Sequence, residues 1–126
     1  MTVSESMADG GQPDRPAILV LSCTRGPVER EVLAGIEEEG VPFVVERCGG
    51  AEDANILGRR AAGRSTLGVG VGIDGHGRVS VRHQKLAESP SGLSTDEVTD
   101  PQAARTLGHN AARLVVGIPL RTEEFP

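Results

Sequence analysis

AILVLSCTRGPVEREVLAGIEEEGVPFVVER, residues 17–47, decides the fold. Its first seven residues are a continuous apolar run ending in Ser22-Cys23, as expected of a strand covered on both faces. Pro27 suits the first position of a helix, where its missing N–H would have had no partner. Val28, Val32, Leu33 and Ile36 recur at helical spacing and give one apolar stripe. Gly40 can take the left-handed conformation that closes a helix, and Pro42 prevents its continuation. Phe43–Arg47 then reads as a second strand, so the stretch is a βαβ unit with the right-handed crossover such units adopt. Glu37, Glu38 and Glu39 are the oddity. They crowd the last helical turn, where unpaired carbonyls already carry partial negative charge. Two readings stand: a solvated acidic helix end, or a carboxylate that meets a cation or a basic partner.

Outward from this unit, Gly49-Gly50 is a turn, and Asp53–Arg64 is a helix with Ala54, Leu57 and Ala61 on one face. Leu67–Ile73 is a strand in which glycines alternate with apolar residues. Asp74–Gly77 is a turn and Arg78–His83 alternates like an antiparallel hairpin partner. Gln84–Thr99 is loop-like. Asp100-Pro101 opens a last helix whose buried stripe is Ala104, Leu107, Ala111, Leu114 and Val115, ended by Gly117. The order predicts an α/β fold: a single layered domain over 16–121 with a mixed, partly parallel sheet flanked by helices. Residues 1–15 and 122–126 are expected to be tails, the first too poor in apolar surface to order itself.

The segment Gly70–Gly75 matches G-x-G-x-x-G, but a dinucleotide fingerprint must lie between a strand and a helix. Here it leads into a hairpin. Gly68, Gly70 and Gly72 instead allow one sheet face to approach another backbone, either a partner chain's or that of the domain's own helix.

Composition sets further bounds. With 13 basic and 18 acidic residues the net charge is −5, which argues against binding a phosphate backbone. Phe43 and Phe125 are the only aromatics, so stacking platforms for single strands are not expected. No apolar run reaches the ~20 residues that span a bilayer, and no signal pattern precedes the domain. A cytoplasmic protein that binds neither nucleic acid nor membrane is expected. Cys23 and Cys48 are far from metal or redox spacing and read as reduced thiols. His76, His83 and His109 show no ligand spacing, and no nucleophile–base arrangement or phosphate loop is present. The chain is not expected to be an enzyme, or to hold a cofactor, by itself.

Two blocks carry a resemblance: REVLAGIEEEGVPF (residues 30–43) and GHNAARLVVGIPLR (residues 108–121). In this order, with the glycine-rich middle, they resemble the small subunit of diol and glycerol dehydratase-reactivating factors over roughly 17–121. The medium subunit of adenosylcobalamin-dependent dehydratases shares both blocks in part. The resemblance implies an α/β fold similar to anticodon-binding domains. It implies one half of a molecular chaperone whose large subunit is an Hsp70-like ATPase. The small subunit competes with the dehydratase's medium subunit, and the exchange releases damaged cobalamin. In this family the glutamate matching Glu38 completes a Mg²⁺ site at the interface with the large subunit. Glu31, seven residues before Glu38 on the same helix side, then joins the partner interface with Gly68, Gly70 and Gly72. A single carboxylate holds Mg²⁺ only with ligands from the partner and water.

The ending Gly-Ile-Pro-Leu-Arg and the short length favour the reactivating-factor subunit. Gly-Val-Gly-Val-Gly-Ile and His83–Leu86 look more like the dehydratase medium subunit, but the Pro- and Leu-rich loop that follows in that subunit is missing. The alternatives are the medium subunit of a B12-dependent dehydratase and a free-standing α/β binding module. Without the large subunit, a homodimer is a further option, and a bacterial microcompartment is an optional setting.

Overall fold

A computed structural model describes residues 16–86, 93–95 and 97–116. The expected tails, and residues 117–121 of the second block, lie outside these. The elements are β1 (Ile18–Ser22), α1 (Pro27–Glu38), β2 (Phe43–Arg47), α2 (Ala54–Arg64), β3 (Val69–Ile73), β4 (Val79–His83) and α3 (Pro101–Val116). The sheet order is β2-β1-β3-β4. β1 is parallel to both β2 and β3, with Val20 opposite Val45 and Val71, while β4 is antiparallel to β3. The mixed, partly parallel sheet expected from the sequence is therefore present.

Strand alternation divides the core in two. Ile18 and Val20 of β1, with Val69, Val71 and Ile73 of β3, meet Val32 and Ile36 of α1 and Ala104, Leu107 and Ala111 of α3. Leu19 and Leu21 turn the other way, onto Leu57 and Ala61 of α2. Burying one such aliphatic side chain contributes about 1.5–3 kcal/mol of transfer free energy. The core is aliphatic, as the scarcity of aromatics requires.

The local signals behave as their chemistry dictates. Pro27 begins α1, and Gly40 closes it at φ +80° with its N–H donating to the Glu37 carbonyl at 3.0 Å. Asp53 caps α2 by accepting from the Ile56 N–H, and Asp100 caps α3 by accepting from the Ala103 N–H. Strand β3 begins at Val69 rather than Leu67, because Gly68 sits at φ +75° and turns the chain. In the hairpin after β3, the buried Asp74 accepts from the His76 and Arg78 N–H groups at 2.8 and 3.0 Å. Its other oxygen accepts from Arg78 Nε at 2.8 Å. Part of the expected loop is more ordered than a loop reading allows. Residues 93–95 run beside β4, where Val81 donates to the Leu93 carbonyl and Thr95 to that of Val79. Leu93 is fully buried, so this segment seals the edge of β4.

The glycine face of β3 corrects one expectation. A Cβ on Gly70 would lie 2.1 Å from Ala62 N, and one on Gly72 2.3 Å from the Ala54 carbonyl oxygen. The backbone they admit belongs to α2 of the same chain. Gly68 is likewise buried, its site closed by the Gln84 side chain. At Gly70 and Gly72 the chain's own helix therefore occupies the place expected for a partner, while Gly68 meets only the side chain of the exposed Gln84. The alternating glycines strip one sheet face of side chains so that a helix can lie directly on it.

Candidate functional site

Helices α1 and α3 cross at two glycines. A Cβ on Gly35 would stand 2.2 Å from the Arg105 carbonyl oxygen, and one on Gly108 would stand 2.1 Å from that of Val32. Only glycine permits this approach, which sets the charged flanks of the two helices against each other.

Along α3 the residues at i, i+4 and i+8 of one flank are Arg105, His109 and Arg113. They face the acidic flank of α1. Arg105 Nη1 donates to Glu31 Oε1 at 2.9 Å, while Nε and Nη2 both engage the carboxylate of Glu38. His109 lies between two glutamates, with Nε2 2.8 Å from Glu38 Oε1 and Nδ1 2.7 Å from Glu39 Oε2. Arg113 Nε reaches Glu39 Oε2 at 3.2 Å. Hydrogen bonding from Arg105 holds the Glu38 carboxyl below the usual carboxylate range against a smaller opposing effect of burial. Bonding from His109 does the same for Glu39, and Glu38 in turn raises Arg105.

At the acidic helix end Glu37 and Glu38 remain exposed, while Glu38 and Glu39 are engaged by basic side chains of α3. Two members of the glutamate triplet meet basic groups within the chain, and the helix-end penalty is offset there. Exposure still matters: the Glu38 side chain is 45% exposed and that of Arg105 42%. Pairs this open to water add little stability and exchange partners readily.

Glu31 and Glu38, expected on one side of the helix, do share one partner in Arg105. Sequence reading missed the three basic residues of α3; their four-residue spacing was the available signal. His83 is a local contact, its Nδ1 accepting from the Lys85 N–H, and His76 is exposed on the hairpin. Among the described residues no group of three or more His, Cys, Asp and Glu is arranged to hold a metal ion. Glu38 offers the hard oxygen donor that Mg²⁺ takes, but only one carboxylate. That carboxylate, already engaged by Arg105 and His109, fits a metal ion only if a partner supplies further ligands.

Known proteins resemble this chain over most of its length. The sequence profile of the dehydratase medium subunit family matches residues 15–121. The propanediol dehydratase-reactivating factor small subunit of Salmonella typhimurium is 44% identical over 91 residues, 72% of this chain and 77% of that protein. The diol dehydratase-reactivating factor small subunit of Klebsiella michiganensis is 44% identical over 92 residues, 73% of this chain and 72% of that protein. Among solved structures, a glycerol dehydratase reactivase chain matches with a TM-score of 0.73 at 35% identity, covering 86% of this chain and 98% of that one. A chain of a diol dehydratase-reactivating factor complexed with ADP and Mg²⁺ matches with a TM-score of 0.69 at 36% identity, covering 86% and 100%. The chain therefore belongs to the dehydratase medium-subunit family, and the relatives it matches at this level are small subunits of dehydratase-reactivating factors.

Proposed function

We propose that this chain is the non-catalytic small subunit of a chaperone that reactivates an adenosylcobalamin-dependent diol or glycerol dehydratase. One observation carries the reading. The two sequence blocks on which the family resemblance rests, 30–43 and 108–121, are distant in the chain. Residues 30–38 of the first and 108–116 of the second lie in α1 and α3, which pack against each other and join Glu38 and Glu39 to His109 and Arg113. A surface built from both blocks is what a large ATPase subunit would recognise. The dehydratase would offer its own medium subunit, of the same fold, to that partner. Exchange between the two needs comparable affinities, so that small changes at the interface decide occupancy. Half-exposed ion pairs suit such a role, since they redirect partners at little energetic expense.

Glu38 is the residue this reading assigns to the partner. When Mg²⁺ is bound at the interface it supplies a charge bridge between the subunits. On this chain Glu38 would hold it, while Arg105 and His109 keep the carboxylate oriented and ionised beforehand. Glu31 borders the same surface. The chain would work in the cytoplasm, free or within a microcompartment.

The experiment is reconstitution. The chain and the large subunit, with ATP, Mg²⁺ and free adenosylcobalamin, should restore activity to an inactivated dehydratase, and neither subunit alone should. The family profile also favours a second reading, the dehydratase medium subunit itself. Micromolar binding of adenosylcobalamin, together with assembly into an active dehydratase, would select that reading and remove the first.

A further inference from the structure

The chain's only two cysteines, Cys23 and Cys48, lie outside the ionic surface, and the strand register brings them together. Ser22 at the end of β1 is opposite Arg47 at the end of β2. The next residue on each strand is a cysteine. Both backbones are held: Cys48 N–H donates to the Ser22 carbonyl at 3.0 Å and Cys23 N–H to that of Ile73 at 2.9 Å. The two sulfurs are 3.8 Å apart. Both side chains are half-buried and pack against the cluster of Leu19, Leu21, Leu57 and Ala61. On its exposed side Cys23 Sγ also approaches the Gly50 carbonyl at 3.7 Å.

Adjacent strands lie about 4.8 Å apart, inside the Cα separation of about 4.4–6.8 Å that a disulfide spans. The sulfurs, 3.8 Å apart, have about 2 Å to close to reach the bonded distance. Isolated buried cysteines behave as small apolar residues. A pair in sulfur contact at neighbouring register positions has a chemistry that neither has alone.

We infer that Cys23 and Cys48 form a redox-active dithiol, a modification site that reacts with low-molecular-weight disulfides and closes to an intramolecular Cys23–Cys48 bond. The Cys23 sulfur attacks a small disulfide RSSR, forming Cys23–S–SR and releasing one RSH. The Cys48 sulfur then attacks the Cys23 sulfur, forms the internal bond and releases the second RSH. The two cysteines are oxidised, RSSR is reduced, and both thiol protons end on the two RSH molecules. The order follows from environment. Burial, then contact with Cys23, push the Cys48 thiol up to about 11, and the nearby charges of Arg60 and Arg47 offset this only in part. Cys48, the more hindered nucleophile while Cys23 is a free thiol, acts second, losing its proton as its thiolate attacks the Cys23 sulfur. The bond would close the β1–α1–β2 crossover, the segment that carries Glu38.

The test treats the folded full chain with oxidised glutathione, followed by intact mass and thiol titration. The expected product has lost both free thiols, is lighter by two hydrogens, keeps no glutathione and melts several degrees higher than the reduced chain. Cys48→Ser should retain a glutathione on Cys23, and Cys23→Ser should react at least about tenfold more slowly at Cys48. A wild-type chain that keeps bound glutathione, links to a second copy, or retains both thiols while the urea-unfolded chain reacts would overturn the proposal. Equal reaction rates for the two single variants would overturn the order of attack.

Discussion

Gly108→Ala should be destabilising even though alanine is the better helix residue. Ordinary contact begins at 3.4 Å, whereas the new methyl would lie 2.1 Å from the Val32 carbonyl oxygen, 2.9 Å from its carbon and 3.1 Å from Ile36 N. All three are backbone atoms of α1 and cannot rotate away, so the helices must part by roughly 1 Å at their crossing. Overpacking of this kind costs about 1–3 kcal/mol. Replacing a mid-helix glycine by alanine returns about 1 kcal/mol. The overlaps are far inside contact distance, so the cost falls at the upper end of that range and the net expectation is a loss of up to about 2 kcal/mol, or several degrees in the melting midpoint of a domain this size. Gly63→Ala is the matched control: it lies in α2 with nothing within 4 Å of a new Cβ, and should stabilise by about 0.5–1 kcal/mol. Urea unfolding followed by far-ultraviolet circular dichroism reads both, since the chain has no Trp or Tyr. A shift in midpoint at constant slope reports stability. Arg105 and His109 flank Gly108, so parting the helices should also stretch their contacts with Glu38 and weaken binding to the large subunit. If Gly108→Ala is as stabilising as Gly63→Ala, the close-crossing account fails.

Glu38→Gln should leave the isolated chain folded, and should weaken the complex with the large subunit most when Mg²⁺ is present. Glu31→Gln and Glu39→Gln should weaken it less and without regard to Mg²⁺, and equal losses in all three would remove the metal role. Asp74→Ala leaves the His76 and Arg78 N–H groups without their acceptor and should cost about 2 kcal/mol in urea unfolding. Asp74→Asn, whose amide oxygen can still accept both, should cost about half that. Stability should fall on acidification. Burial raises Asp74, but the His76 and Arg78 N–H bonds and the Arg78 charge outweigh it, so the folded value lies below the ordinary 3.8. Burial of Glu29 is similarly outweighed by Arg47, placing it below the ordinary 4.5. Groups depressed on folding contribute fully above their unfolded values and lose that contribution as pH falls through the folded ones. Unfolding free energies from pH 7 to pH 3 should decline below about pH 4.5, less steeply in Asp74→Asn; a flat profile would contradict the assignment.

Local chemistry was legible in the sequence because its causes are local. Pro27 and Gly40 mark helix ends through their own backbone preferences and Asp100 through its side chain, and all three do so in the fold. The apolar stripes of α1 and α3 likewise found the sheet. The crossing of α1 on α3 was hidden, because a glycine inside a helix looks like a weak position until the opposing backbone is known. The pairing of Glu38 with Arg105 and His109 depends on that crossing and joins residues about seventy apart in sequence. The glycines of β3 announced a close approach but not which backbone makes it. Cys23 and Cys48 failed every sequence spacing rule, since only the register of two parallel strands makes them neighbours.

The strip at residues 93–95 that seals β4 has one further consequence. Among the described residues the sheet keeps one unmatched margin, the outer side of β2. Fibre growth by strand addition needs two free margins, one to dock and one to offer onward. A molecule with a single such margin can join one copy of itself, and the seam is then used up. Strand addition through the described part of this sheet should therefore end at a two-fold pair rather than run on into filaments.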